Sequence, residues 1–154
     1  MTGTPPAEVA WDLPGDRPLD DAAVRRAVAA ALAHGGRPEA LLCVVFVDDA
    51  RLAAMHGEYL GDPEPTDVIA FDLGDECGGP SGELYVSVER ARAVALARGV
   101  SAARELALYV VHGALHLCGH DDREPEPRAR MRAAERAVLD ELGYPPDDAP
   151  HDAS

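Results

Sequence analysis

Apolar residues recur along the chain with the spacing of helices in some stretches and of strands in others. Val24, Val28 and Leu32 lie four residues apart, so they share one face of a helix within LDDAAVRRAVAAALAHGG, residues 19–36. Asp20 stands where a side chain can cap the first turn, and the two glycines that close the stretch end the helix. We therefore expect the first long element to be an amphipathic helix.

The remaining apolar stretches predict further strands and helices. ALLCVVFV at residues 40–47 is an unbroken run rich in β-branched residues, which is typical of a strand buried on both faces. The other predicted elements are, in chain order, a strand in AEVAWDL near the N-terminus, a helix in DDARLAAMHGEYL capped by Asp48 or Asp49, strands in TDVIAFDL (66–73) and GELYVSVE (82–89), a helix in ERARAVALARG ending at Gly99, a helix at 101–119 capped by Ser101, and a helix at 126–143. This order favours an α+β fold, with a small mixed and mostly parallel sheet of about four strands packed by about five helices.

Length and composition favour one domain. The chain has 154 residues, 47% of them hydrophobic and 27% charged, which is ordinary for a globular protein with a real core. We expect an ordered core over about residues 8–143, with 1–7 and 145–154 disordered because they are Pro-rich or acidic and have little apolar surface to bury. No apolar run is long enough to span a bilayer, and the N-terminus has no basic start followed by an apolar segment, so we expect a cytoplasmic protein without membrane contact.

The net charge of −14 is unevenly distributed. Residues 1–89 hold 17 acidic residues against five arginines, whereas residues 90–136 hold nine arginines against six acidic residues. A phosphate group responds to the local electric field. The negative net charge of the whole chain therefore does not exclude RNA binding by residues 90–136.

Three arginines of the predicted last helix form a basic stripe. Arg128, Arg132 and Arg136 recur every four residues and are candidate contacts for RNA phosphates. The alternative is a solvated helix face that is partly paired with acidic residues such as Glu124 and Glu135.

The stretch HGALHLCGHDD, residues 112–122, has the spacing of a metal site. His112 and His116 lie one turn apart on the same helix face, close enough to share one ion. A continuing helix would place His120 about 12 Å from His112 along the axis, so the helix must end before a third ligand can close the site. Gly119 is suited to that break. Asp122 is the preferred third ligand and His120 the alternative.

Two imidazoles and a carboxylate suggest a catalytic rather than a structural ion. Three protein ligands leave a position for water, and the ion would lower the pKa of that water toward about 7. The three cysteines contain no CxxC pair, which argues against a cysteine-built zinc site. A histidine pair can also lie on a helix surface or form a hydrogen-bonded pair in the core. Here apolar neighbours such as Val111 and Leu115 surround the pair, and two histidines without a metal ion or a hydrogen-bond partner would be energetically unfavourable in that setting. The HExxH protease motif requires a glutamate where this chain has Gly113, so peptide hydrolysis is disfavoured.

Taken with PTDVIAFDL and GELYVSVERA, HGALHLCGHDD resembles the YbeY family of bacterial single-strand-specific metallo-endoribonucleases, whose motif is close to HGxLHLxGYDH. The likeness covers about residues 40–143. It implies a cytoplasmic endoribonuclease with one Zn²⁺ per chain, held in a cleft beside the sheet of a small layered fold. It also implies action on single-stranded RNA, in 16S rRNA 3′-end maturation and ribosome quality control, with the small ribosomal subunit or a basic ribosomal protein as partner.

The resemblance assigns residues to the metal site and also shows two departures. His112 and His116 fall on the first two family ligands, and Asp122 falls on the third, which is a histidine in the family. Leu60 stands where the family often has an arginine.

The general base stays open between Asp121 and His120. A noncatalytic ribosome-assembly binding protein is the alternative function, and a zinc metalloprotease is a more distant one.

Overall fold

The computed structural model describes residues 7–13, 15, 17–60, 68–74, 81–118 and 125–144. In chain order the elements are β1 (Ala7–Trp11), α1 (Asp21–His34), β2 (Leu41–Val47), α2 (Asp49–Leu60), β3 (Val68–Gly74), β4 (Ser81–Ser87), α3 (Val88–Arg98), α4 (Ala102–Leu117) and α5 (Pro125–Leu142). Each predicted element is present, and the predicted α+β class is confirmed. No helix in these ranges is long and apolar enough to cross a membrane.

Local capping chemistry explains where the helices begin. Asp20 accepts a hydrogen bond from the N–H of Ala23 (2.7 Å) and caps α1 as predicted. Asp48, rather than Asp49, caps α2, because its carboxylate accepts from the N–H of Arg51 (2.8 Å). Ser101 caps α4 in the same way.

The four strands described form one mixed sheet in the order β1-β2-β4-β3. β1, β2 and β4 run parallel, and β3 is antiparallel to β4. Ala7, which we expected to be disordered, starts β1: it is buried and pairs with Leu42. The rest of the two termini expected to be disordered, 1–6 and 145–154, lies outside the described residues.

The expectation that β2 is buried on both faces is wrong for the first half of the strand, whereas Val47 on the second face is fully buried. Val44 and Phe46 are buried in the main core, which α1, α4 and α5 help to form. On the opposite face Leu41 is exposed and Cys43 only half-buried. The reason is that α2 covers that face only in part, through a smaller apolar cluster to which Val45 contributes.

Two glycines allow α4 to lie close to the sheet. A β-carbon on Gly113 of α4 would be 2.9 Å from Cδ2 of Leu84 in β4. One on Gly82 of β4 would be 2.8 Å from Cδ1 of Leu117, the last residue of α4. Side chains at either position would push the helix away, so both glycines help to set where the C-terminal half of α4 sits.

Candidate metal centre

The two predicted histidine ligands lie on the C-terminal half of α4. His112 and His116 are four residues apart in an unbroken helix, so their side chains leave the same face. The His112 side chain is 21% exposed and His116 is exposed. Val111 and Leu115, next to them in sequence, are fully buried. The pair therefore stands at the edge of the core, with the His116 ring directed outward rather than into the interior.

The helix ends close to where the metal motif requires it to end. α4 stops at Leu117, and Cys118 forms its C-cap. The Leu117 carbonyl accepts a hydrogen bond from Nη1 of Arg37 (2.9 Å), which ties this end to the segment after α1. Gly119 to Asp122 lie outside the described residues, so the third ligand, Asp122 or His120, stays a prediction.

Cys118 has a packing role. Its side chain is partly buried and packs against the main core. Burial raises the pKa of this thiol, against the opposing charge of Arg37. Cys118 is therefore protonated at neutral pH, and thiolates rather than thiols bind metal ions.

Glu135 of α5 contacts His112, and sequence reasoning missed this contact. Oε2 of Glu135 lies 2.6 Å from Nδ1 of His112, across 23 residues of chain. The Glu135 side chain is only 4% exposed. A signal was present in the sequence: Glu135 shares its helix face with Met131 and Val138, which are buried, and a carboxylate on such a face needs a partner.

The basic stripe of α5 divides into two kinds of arginine. Nη1 of Arg132 lies 3.0 Å from Oε1 and 3.1 Å from Oε2 of Glu135, so the predicted pairing with an acidic residue is confirmed here. Arg128 and Arg136 are exposed. RNA contact by the three arginines stays a prediction.

Position 113 faces the sheet. A β-carbon on Gly113 would meet Leu84 and Cγ2 of Val68, at 3.2 Å from the latter. A glutamate here would enter the packed helix–sheet contact instead of lying beside the histidines. This geometry further disfavours the metalloprotease alternative.

The described donors fit a divalent ion such as zinc. Because Nδ1 of His112 is engaged by a carboxylate, Nε2 is the nitrogen through which this ring would bind, and such carboxylate partners are usual for metal-binding histidines. In the part of the chain that the structure covers, no group of three or more His, Cys, Asp or Glu is placed to hold an ion. The third ligand predicted from the sequence belongs to the segment between α4 and α5, which lies outside the described residues. Leu60, in the position of the family arginine, is the last residue of α2.

The fold has a counterpart among solved structures. The solution structure of a protein from Thermotoga maritima aligns with a TM-score of 0.59, covering 96% of this chain and 99% of that one. Sequence identity is 18%, so the likeness concerns the fold alone.

Sequence relatives identify the family. A family model described as Endoribonuclease YbeY matches residues 17–143. Proteins named Endoribonuclease YbeY include that of Desulfitobacterium hafniense, which is 39% identical over 68% of this chain and 73% of its own length. Those of Rhodopirellula baltica (42% identical, 77% of this chain and 62% of the relative) and Chloroflexus aggregans (38%, 84% and 92%) are similarly close. The chain therefore belongs to the YbeY endoribonuclease family.

Proposed function

We propose that this protein is a metal-dependent endoribonuclease that cuts single-stranded RNA. The observation that carries the proposal is the histidine pair at the end of α4, one member of which is held by a buried carboxylate, in a chain of an endoribonuclease family. His112, His116 and Asp122 hold one Zn²⁺, with His120 as the alternative third ligand. The ion supplies polarisation of a phosphoryl oxygen.

Other residues of the chain bind and orient the RNA. Arg128 and Arg136 are exposed on α5, which begins just after the metal-binding segment, and so can attract phosphates toward the centre. Asp121 or His120 acts as general base. The proposed substrate is the 3′ end of 16S rRNA, cut in the cytoplasm during maturation and ribosome quality control.

Cleavage and metal content, measured on the same samples, test the proposal. We expect zinc-loaded wild type to cut a single-stranded RNA, and His112→Ala and His116→Ala to lose both zinc and at least about 100-fold of the cleavage rate. His34→Ala is the matched control, because His34 is an exposed histidine of α1 outside the centre. Undiminished cleavage by His112→Ala would refute metal-dependent catalysis.

Elemental analysis of two further variants tests the third ligand. If Asp122 is the ligand, Asp122→Ala loses zinc and His120→Ala keeps it. The opposite result assigns the ligand to His120.

A noncatalytic ribosome-assembly function is the second candidate. It is favoured by Leu60 in the position of the family arginine and by the acidity of residues 1–89, which suits a basic ribosomal protein. Zinc-loaded protein that binds small ribosomal subunits but leaves their rRNA intact would establish it. Binding to a basic ribosomal protein can be tested by reversing the charge of an acidic residue. Exposed Glu39 suits this test better than Asp48, because the Asp48 carboxylate also caps α2.

A further inference from the structure

We infer that Glu135 is a positioning residue of the metal centre, which fixes the ring orientation and tautomer of His112, and that Arg132 supplies the positive charge that Glu135 needs. The inference deepens the proposed function and rests on it for the presence of an ion. Its own basis is the contact between α4 and α5.

The contact joins a half-buried ring to a buried carboxylate. Oε2 of Glu135 lies 2.6 Å from Nδ1 of His112, the short distance expected of a charge-assisted hydrogen bond. The histidine is 21% exposed and the glutamate 4%. The bond is therefore largely shielded from competing water.

Arg132 gives the carboxylate a countercharge within its own helix. One guanidinium nitrogen, Nη1, donates to both oxygens of Glu135, at 3.0 and 3.1 Å. A carboxylate packed beside Met131 and Val138 would be strongly unfavourable without such a partner. Arg132 thus stabilises Glu135 as an acceptor.

The acceptor role of Glu135 decides which nitrogen of His112 carries the proton. An ionised carboxylate can only accept, so His112 must donate from Nδ1, and its lone pair is then on Nε2. Without Glu135 the ring loses the acceptor that keeps the proton on Nδ1. Selection of the Nδ1–H tautomer must then accompany metal binding, and loss of such partners typically lowers metal affinity about 10- to 100-fold.

Zinc affinity, measured by competition with a chromophoric chelator, gives the first test. We expect Glu135→Gln, which preserves volume, to bind zinc about 10- to 100-fold more weakly than wild type, and Arg132→Met to bind several-fold more weakly. The matched controls are Glu141→Gln and Arg130→Met, exposed residues of the same helix, which should bind as wild type does. Glu135→Gln affinity within twofold of wild type would overturn the inference.

The tautomer of His112 in metal-free protein gives a second test that needs no ion. Long-range ¹H–¹⁵N spectra, recorded above the pKa of histidine, should show the Nδ1–H form in wild type and a mixture of tautomers in Arg132→Met and Glu135→Gln. If wild type binds no zinc but shows this pattern, the metal proposal fails while the role of Glu135 in orienting the ring stands. If wild type is itself a mixture, the positioning role is refuted. Arg132→Met keeps the test decisive should Glu135→Gln fail to fold.

Discussion

Gly35, at the end of α1, lies directly against Cys118, at the end of α4. A β-carbon built on Gly35 would be 2.6 Å from Cβ and 2.5 Å from Sγ of Cys118. The backbone at Gly35 has φ −81°, which any residue adopts, so the glycine is needed for space rather than for conformation. This contact and the bond from Arg37 to the Leu117 carbonyl hold the helix end that precedes the proposed metal-binding segment.

We expect Gly35→Ala to destabilise the protein by about 1–3 kcal/mol, the usual range for overpacking. Cys118 is too short to move its β-carbon aside, so one helix end must shift. Urea unfolding measures the loss, and the same substitution in a Cys118→Gly background is the control, since that background removes both clashing atoms. An equal loss in the two backgrounds would show that the contact is not the cause.

Ser87 joins the N-terminus of α3 to α2. Its hydroxyl accepts from the N–H of Arg90 and donates to Oδ1 of Asp49, both at 3.1 Å, and the residue is fully buried. Ser87→Ala should lower the free energy of unfolding by about 1–2 kcal/mol. Ser101→Ala, which removes a cap from an exposed position, should have a smaller effect. Additivity of Ser87→Ala and Asp49→Ala in a double-mutant cycle would argue against the link.

Stability should fall in alkaline solution partly because of Cys118. Burial raises the pKa of this thiol, so the folded state favours the protonated form. The resulting stabilisation is fully present below the unfolded pKa of about 8.5 and is lost as pH rises through the higher folded pKa. Burial also raises the pKa values of Cys43, Tyr85 and Tyr144, and ionisation of these groups extends the loss of stability as pH rises. Urea unfolding from neutral pH to about pH 10 should show a shallower decline for Cys118→Ala; an identical decline would contradict the assignment.

The arginines of α5 should separate into RNA-binding and metal-supporting residues. Arg136→Ala should weaken binding of single-stranded RNA and reduce the slope of log K against log[salt] by about 1, without changing zinc affinity. Arg132→Ala should lower zinc affinity because Glu135 loses its countercharge. RNA titrations at several salt concentrations, beside chelator competition, check both. Equal effects of the two variants in both assays would contradict the division.

Zinc should stabilise the folded chain by mass action. At about 100 times its Kd, the ion should raise the free energy of unfolding by about 2.7 kcal/mol, and excess chelator should reverse the gain. Thermal unfolding with and without zinc measures this. His112→Ala should show no shift, whereas His34→Ala should respond as wild type does. If zinc does not change the Tm of wild type, the proposal that the folded protein binds zinc is contradicted.

Much of the fold was predictable because its determinants are local. The N-caps Asp20 and Ser101 bond to N–H groups three residues away, so a short window of sequence contains both partners. The spacing of His112 and His116 predicts a shared helix face for the same reason. The likeness of HGALHLCGHDD to a family motif predicted the family, which relatives over most of the chain confirm.

Contacts between distant segments depended on packing. The two faces of β2 differ because α2 covers only part of one of them, and no pattern within 40–47 carries that information. Glu135 meets His112 because α4 and α5 pack side by side, and Arg132 turns to that carboxylate from the same helix. Periodicity within a helix predicts which residues share a face. Which other helix that face meets is set by the burial of the whole apolar surface, so only the tertiary structure could pair the histidine with its carboxylate.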